Sequence, residues 1–362
     1  MTLRFAPPTN PTFTPDARIA EINIDPGFGQ FFSDHMALAD WNSETGWTND
    51  RITAYGLLPM EPAGAVLHYA QEVFEGLKAY RHADGSVWLF RPDANARRLQ
   101  ESSRRMALPV LPVDDFLTSV HNLVALDERW VPHAAEQSLY IRPFIIANES
   151  FLGVRSAHDV IYCCITGPVG AYFKGGVQPV DIWVSRQYSR VANGGTGTAK
   201  CGGNYASSLL AQEVAYANGC SQVLFTDNAE HEFVEELGGM NFLLLTKDGE
   251  LVTPPLNGNI LPGITRDSLL KLAPLLGLTP VERPTRIADV YDGITAGDIV
   301  ELLACGTAAV ITPVGSLRDS ETNTVYRPLR PEAPQGIALR NLLLDIQYGR
   351  VADPFGWTER VV

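Results

Sequence analysis

A lysine in a glycine-rich loop has surroundings that could support covalent chemistry. Residues 193–205 read NGGTGTAKCGGNY, which places Lys200 among five glycines. Glycine lets a backbone approach a ligand closely and adopt positive φ. A lysine whose pKa is lowered by desolvation or neighbouring charge can attack a carbonyl as the free amine. The loop therefore fits a nucleophilic lysine, but its spacing alone fits a solvated surface charge equally well.

Two glycine-rich phosphate motifs do not match this loop. A P-loop requires Gly-Lys followed by Ser or Thr, whereas Ala199 precedes Lys200 and Cys201 follows it. In the dinucleotide-binding pattern G-x-G-x-x-G that starts at Gly195, the third glycine would fall at Lys200. Neither form of phosphate binding is therefore predicted here.

A pair of carboxylates precedes two further glycines. Glu235 and Glu236 stand before Gly238 and Gly239, ahead of a predicted strand. Paired glutamates are most often a solvated face of a protein. A carboxylate beside a heterocyclic nitrogen would instead keep that nitrogen protonated and make a cofactor ring an electron sink.

Three other segments are suited to a phosphate. Residues 262–265 (PGIT) open a predicted helix, whose free N–H groups favour an anion. Residues 306–309 (GTAA) follow a predicted strand and offer a hydroxyl with close backbone access. Arg98 could supply the cation, with Arg97 as the neighbour most easily confused with it. Each segment alone is better explained by helix capping or surface charge.

Bulk properties restrict the partners and the compartment. The net charge of -13 disfavours a nucleic-acid partner, because phosphates require a cationic surplus. No apolar stretch has the length of a membrane span, and the N-terminus lacks a signal-peptide core. The five cysteines are odd in number and form no C-x-x-C, which favours a reduced cytoplasm. We expect no metal site.

Strand-like runs and helical patterns are mixed in both halves, which is typical of α/β or α+β domains. Predicted strands cover 86–90, 137–142, 160–166, 180–184, 222–226, 241–246, 250–252 and 299–305, and predicted helices cover 93–106, 205–218 and 265–277. A Gly- and Pro-rich connection at 167–179 is the best candidate for a link between domains. We therefore expect a small domain at 1–173, a linker at 174–187 and a larger domain at 188–362.

Taken together, the segments resemble the branched-chain amino acid aminotransferases, a family of fold-type IV pyridoxal-phosphate enzymes. The matching blocks are 32–36 (FSDHM), 67–80 (LHYAQEVFEGLKAY), 139–143 (LYIRP), 167–173 (GPVGAYF), 193–205, 235–242 (EELGGMNF), 263–266 (GITR) and 306–308 (GTA). They occur in the family's order over most of the chain. The resemblance implies a smaller N-terminal α/β domain and a larger cofactor-binding domain with a mixed, barrel-like sheet.

The resemblance also implies roles toward pyridoxal 5'-phosphate. Lys200 would hold the cofactor as a Schiff base and then move a proton between the amino acid's Cα and cofactor C4′. Tyr205 would hydrogen-bond the phenolic oxygen, and Glu236 rather than Glu235 would pair with the pyridinium nitrogen. The phosphate would be held by Arg98, Ile264, Thr265 and Thr307.

For the substrate, the resemblance implies a small apolar pocket with a polar edge. The aromatic residues at the family's pocket positions are Tyr69, Phe74, Tyr140 and Tyr172. Any one of them alone is more simply interpreted as core packing. Backbone N–H groups of Thr307 and Ala308 would meet the α-carboxylate. Arg142 would assist the second carboxylate of glutamate or 2-oxoglutarate.

The function implied is a ping-pong transfer of the amino group of L-Leu, L-Ile or L-Val to 2-oxoglutarate, in branched-chain amino acid biosynthesis. The family implies a homodimer, with residues of one small domain lining the partner's pocket. The alternative is another fold-type IV enzyme, a D-amino acid aminotransferase or an aminodeoxychorismate lyase. A binding protein of the same fold is disfavoured, because Lys200 and Tyr205 are both present.

Two positions depart from the family pattern. Residues 309–312 (AVIT) replace the redox C-x-x-C of the mammalian members, so thiol regulation is not expected there. Gly239 stands where some relatives have Thr near the substrate, which would loosen a carboxylate contact.

Overall fold

A computed structural model describes residues 2–170 and 176–362. The chain forms two compact units. The first comprises Met1–Tyr172, Ala199–Gly202 and Asp345–Val362, and the second comprises Phe173–Thr198 and Gly203–Leu344. The short segment that contains Lys200 therefore belongs to the first unit, although the loop around it belongs to the second. The domain boundaries predicted from the sequence stay a prediction.

The bounds of the elements follow in chain order. The strands are β1 (His35–Asn42), β2 (Gly46–Ala54), β3 (Glu72–Phe74), β4 (Leu77–Arg81), β5 (Val87–Phe90), β6 (Ser138–Ala147), β7 (Asp159–Val169), β8 (Val180–Ser185), β9 (Gln222–Thr226), β10 (Val234–Leu237), β11 (Asn241–Thr246), β12 (Glu250–Thr253), β13 (Thr279–Glu282), β14 (Ile299–Gly306), β15 (Val310–Asp319), β16 (Val325–Tyr326) and β17 (Thr358–Arg360). The α-helices are α1 (Asp16–Ile24), α2 (Ala65–Tyr69), α3 (Pro92–Arg105), α4 (Val113–Leu126), α5 (Gly202–Ala206), α6 (Leu209–Ala217), α7 (Ile264–Leu272), α8 (Ile287–Ala296) and α9 (Pro334–Gln347).

The first unit is built on an antiparallel sheet in the order β17-β5-β4-β6-β7-β1-β2, with β3 added against β6. Along β6, burial alternates with the two-residue period of a strand, so that Leu139, Ile141 and Ile145 face the core. The core also contains Leu99 of α3 and Phe116 of α4. The alternation leaves the intervening β6 side chains on the opposite face of the sheet, which is the face that carries the candidate site.

The second unit contains a closed sheet. Its strand order is β10-β9-β8-β15-β14-β11, and β10 also pairs with β11, which completes a ring of six strands among the described residues. The pair that closes the ring is Glu236 with Asn241. Strands β8–β9 and β8–β15 are parallel, whereas β14 is antiparallel to both of its neighbours. The α+β class and the mixed, barrel-like sheet of the second unit are therefore confirmed.

The prediction of one continuous helix at 205–218 is wrong. The pattern at 205–218 predicted a single helix, but the structure has α5 and α6, separated at Ser207 and Ser208. Both serine hydroxyls donate to the carbonyl oxygen of Asn204, at 3.0 Å in each case. Serine side chains that bond locally to the backbone in this way compete with helical hydrogen bonds. The strands at 180–184, 222–226 and 241–246 are confirmed.

Within residues 2–170 and 176–362, no helix is long and apolar enough to cross a membrane. Within the same ranges, no group of His, Cys, Asp and Glu side chains could hold a metal ion.

Candidate active site

The backbone around Lys200 is tied to the first unit on both sides. The Lys200 N–H donates to the Ser102 hydroxyl of α3 at 2.9 Å, and the Lys200 carbonyl accepts the N–H of Phe74 at 2.9 Å. Two residues later, the N–H of Gly202 donates to the carboxylate of Glu72. Strand β3 and helix α3 thus fix a loop whose own sequence favours no regular structure.

Burial and charge act on the Lys200 amine. Burial lowers the pKa of Lys200 to about 8, and the positive charge of Arg98 acts in the same direction. Glu75 and Tyr140 oppose the shift. The amine nitrogen also lies 4.6 Å from the ring centroid of Phe74. A free amine is therefore present in an appreciable fraction of molecules near neutral pH, as a nucleophilic lysine requires.

A buried ion pair stands beside this lysine. Arg98 donates through Nε and Nη2 to the two carboxylate oxygens of Glu75, each at 2.8 Å. Asn95 and the N–H of Gly76 donate to the same carboxylate, at 2.7 and 3.1 Å. The bidentate geometry fixes the plane of the guanidinium and confers directional specificity. Arg97, by contrast, is exposed and pairs with Asp93, so Arg98 is the arginine that the fold turns inward.

Three of the predicted substrate residues form a cluster, in which Phe74 and Tyr140 both contact Arg142. Tyr140 and Arg142 alternate with the core residues of β6, and Arg142 donates to the Tyr140 hydroxyl at 3.0 Å. The Arg142 guanidinium lies over the Phe74 ring at 4.7 Å from the centroid. Tyr69 is 40% exposed and donates its hydroxyl to the Leu152 carbonyl, so no described contact joins it to this cluster. Tyr172 lies outside the described residues.

In the second unit, Glu236 receives several donors. Arg190 reaches its carboxylate at 2.7 Å, Asn241 donates at 2.8 Å, and the N–H of Leu261 donates at 2.9 Å. Donors to a carboxylate stabilise its ionised form. Glu235 is also buried, with its carboxylate bonded to Asn259, so the pair is not a solvated face.

The start of α7 is fixed against the same cluster. Thr265 lies in its first turn and is 8% exposed, and a Cβ at Gly263 would collide with the side chain of Asn241. The first N–H groups of a helix have no partners within the helix and attract anions. Thr307 and Ala308 lie in the turn between β14 and β15, where a Cβ on Gly306 would reach Met240. Both candidate phosphate segments thus lie near the Glu236–Asn241 turn of the second unit.

The predicted residues therefore fall into two groups. The first unit brings together Lys200, Arg98, Phe74, Tyr140 and Arg142, and the second holds Tyr205, Glu236, Ile264, Thr265, Thr307 and Ala308. Gly239 leaves room beside Tyr205, since an added Cβ would lie 3.8 Å from that ring.

Sequence reasoning missed four residues that support these groups: Glu72, Glu75, Ser102 and Arg190. The glutamates lie in the block 67–80, so their position beside the pocket aromatics was a usable signal. Ser102 and Arg190 carry no local signal, because their partners are distant in sequence.

Each group by itself suits one part of a phosphorylated heterocyclic aldehyde. In the first unit, a lysine with a lowered pKa can bind an aldehyde carbon, and a buried arginine can bind a phosphate. In the second unit, a helix N-terminus can bind an anion, and a carboxylate that Arg190 contacts can pair with a protonated ring nitrogen. The residue types of each unit thus fit a part of pyridoxal phosphate.

Comparison with known proteins places the chain in a family. The model of amino-transferase class IV matches residues 72–317. The chain belongs to the class IV aminotransferases. Within that class it belongs to the branched-chain-amino-acid aminotransferases, as the similarity to curated relatives shows.

Two curated relatives carry that name. The enzyme of Mycolicibacterium smegmatis is 48% identical over 363 residues, covering 99% of this chain and 98% of its own. The enzyme of Mycobacterium tuberculosis H37Rv is 50% identical over 350 residues, covering 96% and 95%. Among solved structures, the Escherichia coli branched-chain amino acid aminotransferase aligns with a TM-score of 0.72 at 27% identity, covering 90% of this chain and all of that one.

A first prediction concerns the buried ion pair. Arg98→Met leaves the Glu75 carboxylate buried without its cation, so we expect a loss of about 3–5 kcal/mol in the free energy of unfolding. The double variant Arg98→Met/Glu75→Gln should lose less than Arg98→Met alone, because the uncompensated charge is removed. Denaturant unfolding of the cofactor-free protein measures both.

The neighbouring arginine is the control for this prediction. Arg97→Met removes an exposed pair with Asp93 and should cost at most about 1 kcal/mol. Equal losses for Arg97→Met and Arg98→Met would contradict the account of the buried pair.

Proposed function

We propose that the chain catalyses the reversible transfer of an amino group from L-Leu, L-Ile or L-Val to 2-oxoglutarate, with pyridoxal 5'-phosphate as cofactor. The products are the branched 2-oxo acid and L-glutamate, formed in two half-reactions. The observation that carries the proposal is the place of the Lys200 amine, 4.6 Å from the Phe74 ring centroid and within the field of the Arg98–Glu75 pair, and its lowered pKa agrees with it. The similarity to the two mycobacterial enzymes supports the substrate class.

Lys200 is proposed to act twice. Its amine would first hold the cofactor covalently, and after displacement by the substrate it would move a proton between the substrate Cα and cofactor C4′. When bound, the cofactor supplies an electron sink for the carbanion that deprotonation of Cα creates. A base with a pKa near the working pH is efficient at such transfers. The pKa of about 8 suits both tasks.

The remaining cofactor residues would bind and orient. Glu236, whose carboxylate contacts Arg190 and accepts a hydrogen bond from Asn241, would pair with the ring nitrogen. Tyr205 would donate to the phenolic oxygen. The phosphate would be bound by Arg98, Ile264, Thr265 and Thr307. An arginine has five N–H donors, so the bidentate bond to Glu75 is compatible with a contact to phosphate.

Both substrates would use one pocket. Phe74 and Tyr140 supply apolar surface for a branched side chain, and Tyr69 and Tyr172 are proposed to complete it. Arg142 stacks on Phe74, so a cation lies at the edge of that surface. The second carboxylate of glutamate would meet this cation, and the α-carboxylate would meet the N–H groups of Thr307 and Ala308.

We also propose a cytoplasmic homodimer. Leu152 and Val154 of the first unit, separated by Gly153 on a short loop, are 63% and 88% exposed. Exposed apolar groups that cluster mark interaction surfaces more often than single ones do. A second copy of the chain would cover them, and its pocket would gain apolar lining.

The second prediction tests the cofactor lysine. Lys200→Ala should abolish turnover and the visible absorbance band of the lysine-bound cofactor, because no other amine of the chain is proposed to attach it. The purified wild-type protein should be yellow. A variant that keeps both the colour and the turnover would contradict the role of Lys200.

The third prediction tests the substrate class. L-Leu with 2-oxoglutarate should give glutamate, whereas D-Ala with 2-oxoglutarate should give none and aminodeoxychorismate should give no pyruvate. Product formation from either of the last two would favour the alternative fold-type IV activities. Steady-state rates with L-Leu, L-Ile and L-Val then order the donors.

The fourth prediction concerns assembly. Leu152→Asp/Val154→Asp should shift the protein from dimer toward monomer in sedimentation velocity, because buried carboxylates would be left unpaired at the contact. Leu275→Asp, at an exposed leucine of the second unit, is the matched control and should leave the dimer unchanged. A wild-type monomer would contradict the proposal.

A further inference from the structure

A carboxylate that no part of the reaction above uses lies against the Lys200 loop. Glu72 and Phe74 lie on one side of β3, and the fully buried Val73 between them lies on the other side. The Glu72 carboxylate accepts the N–H of Gly202, two residues after Lys200. Phe74 and Glu72 therefore both contact the Lys200 loop from the same side of β3.

Glu72 is held in an environment that disfavours its charge. Burial raises the pKa of Glu72, opposed by the Gly202 hydrogen bond and by the positive charges of Arg142 and Lys200. Taking a carboxylate out of water costs free energy unless donors and cations compensate it. The compensating groups are the Gly202 N–H and the positive charges of Arg142 and Lys200. The charge of Glu72 is therefore coupled to the Lys200 loop and to two residues of the proposed site.

The fit between Glu72 and Gly202 is close. A Cβ built on Gly202 would lie 2.6 Å from Oε1 of Glu72, which is shorter than side-chain carbons tolerate. The φ angle of Gly202 is not in the left-handed region, so the backbone alone would accept alanine. A side chain at residue 202 would therefore require the end of the Glu72 side chain to move away from the Gly202 N–H.

We infer that Glu72 is a positioning residue, which fixes the Lys200 loop through the Gly202 N–H and thereby sets the direction of the Lys200 amine. The inference rests on the proposed role of Lys200. Ser102 and Phe74 hold the N–H and the carbonyl of Lys200 itself, and Glu72 holds the peptide that follows Cys201. With the third bond lost, the segment after Lys200 can rotate.

The experiment compares Glu72→Gln with Glu72→Ala in the holoenzyme. Glutamine keeps an oxygen acceptor for Gly202, whereas alanine does not. We expect Glu72→Ala to lower kcat for L-Leu about 10- to 100-fold, since small misplacements of reacting groups have effects of this size. KM for L-Leu should stay within about twofold, because the residues proposed to contact its side chain are unchanged. Glu72→Gln should recover kcat to within about threefold of wild type, because its side-chain oxygen again accepts the Gly202 N–H.

A second readout is independent of turnover. Cofactor-free protein is mixed with pyridoxal phosphate, reduced with borohydride at timed intervals, and the modified peptide is quantified by mass spectrometry. Attachment at Lys200 should slow in Glu72→Ala and recover in Glu72→Gln. Thermal unfolding of each variant checks that the fold is retained.

Two further comparisons sharpen the result. Gly202→Ala should impair kcat in the wild-type background but add no further loss to Glu72→Ala, because the carboxylate it would meet is gone. Glu101→Gln removes an exposed carboxylate of α3 that pairs with Arg104, and should behave as wild type.

The outcomes separate the two proposals. If wild-type protein attaches no cofactor at Lys200, the proposed function fails. If wild-type protein attaches it and Glu72→Ala keeps wild-type kcat and attachment rate, only the inference about Glu72 is overturned. Equal loss in Glu72→Gln and Glu72→Ala would also overturn it, because the charge and not the hydrogen bond would then be the requirement.

Discussion

The chemistry proposed for the first unit depends on the desolvation of the Lys200 ammonium group. Burial disfavours the charged form of Lys200, and the neighbouring Arg98 adds repulsion, so the pKa falls from its ordinary value to about 8. An amine with that pKa is unprotonated often enough to react and protonated often enough to return a proton. Glu75 limits the shift because its carboxylate attracts the ammonium. The Arg98–Glu75 pair therefore affects both the chemistry and the stability of this unit.

The loop that carries the lysine depends on contacts from outside its own sequence. Its glycines make it adaptable, and Ser102, Phe74 and Glu72 remove that freedom at Lys200 and Gly202. In the second unit, the pairing of Glu236 with Asn241 closes the ring of strands. The same closure brings Asn241 within 2.8 Å of the Glu236 carboxylate, so strand pairing and the hydrogen bond to this carboxylate have a common cause.

The sequence predicted eight of the seventeen strands in the described residues and singled out Lys200, because strand patterns and a glycine-rich loop leave local signals. The strand at 241–246 and the glycine-framed Lys200 are examples. The break between α5 and α6 was missed, since it arises where Ser207 and Ser208 bond the backbone instead of continuing the helix. Arg190 was missed because its ion pair with Glu236 spans 46 positions and has no local pattern. The roles proposed for single substrate residues came from family resemblance rather than from spacing.

The pKa of the Lys200 amine in the cofactor-free enzyme tests the account most directly. Brief acetylation with acetic anhydride across a pH series, followed by peptide mass spectrometry, gives the titration of each lysine. Lys247 is the internal reference, because its hydrogen bond to Asp298 raises its pKa. The account predicts half-maximal labelling of Lys200 near pH 8, well below that of Lys247. Lys200 and Lys247 titrating together would contradict it.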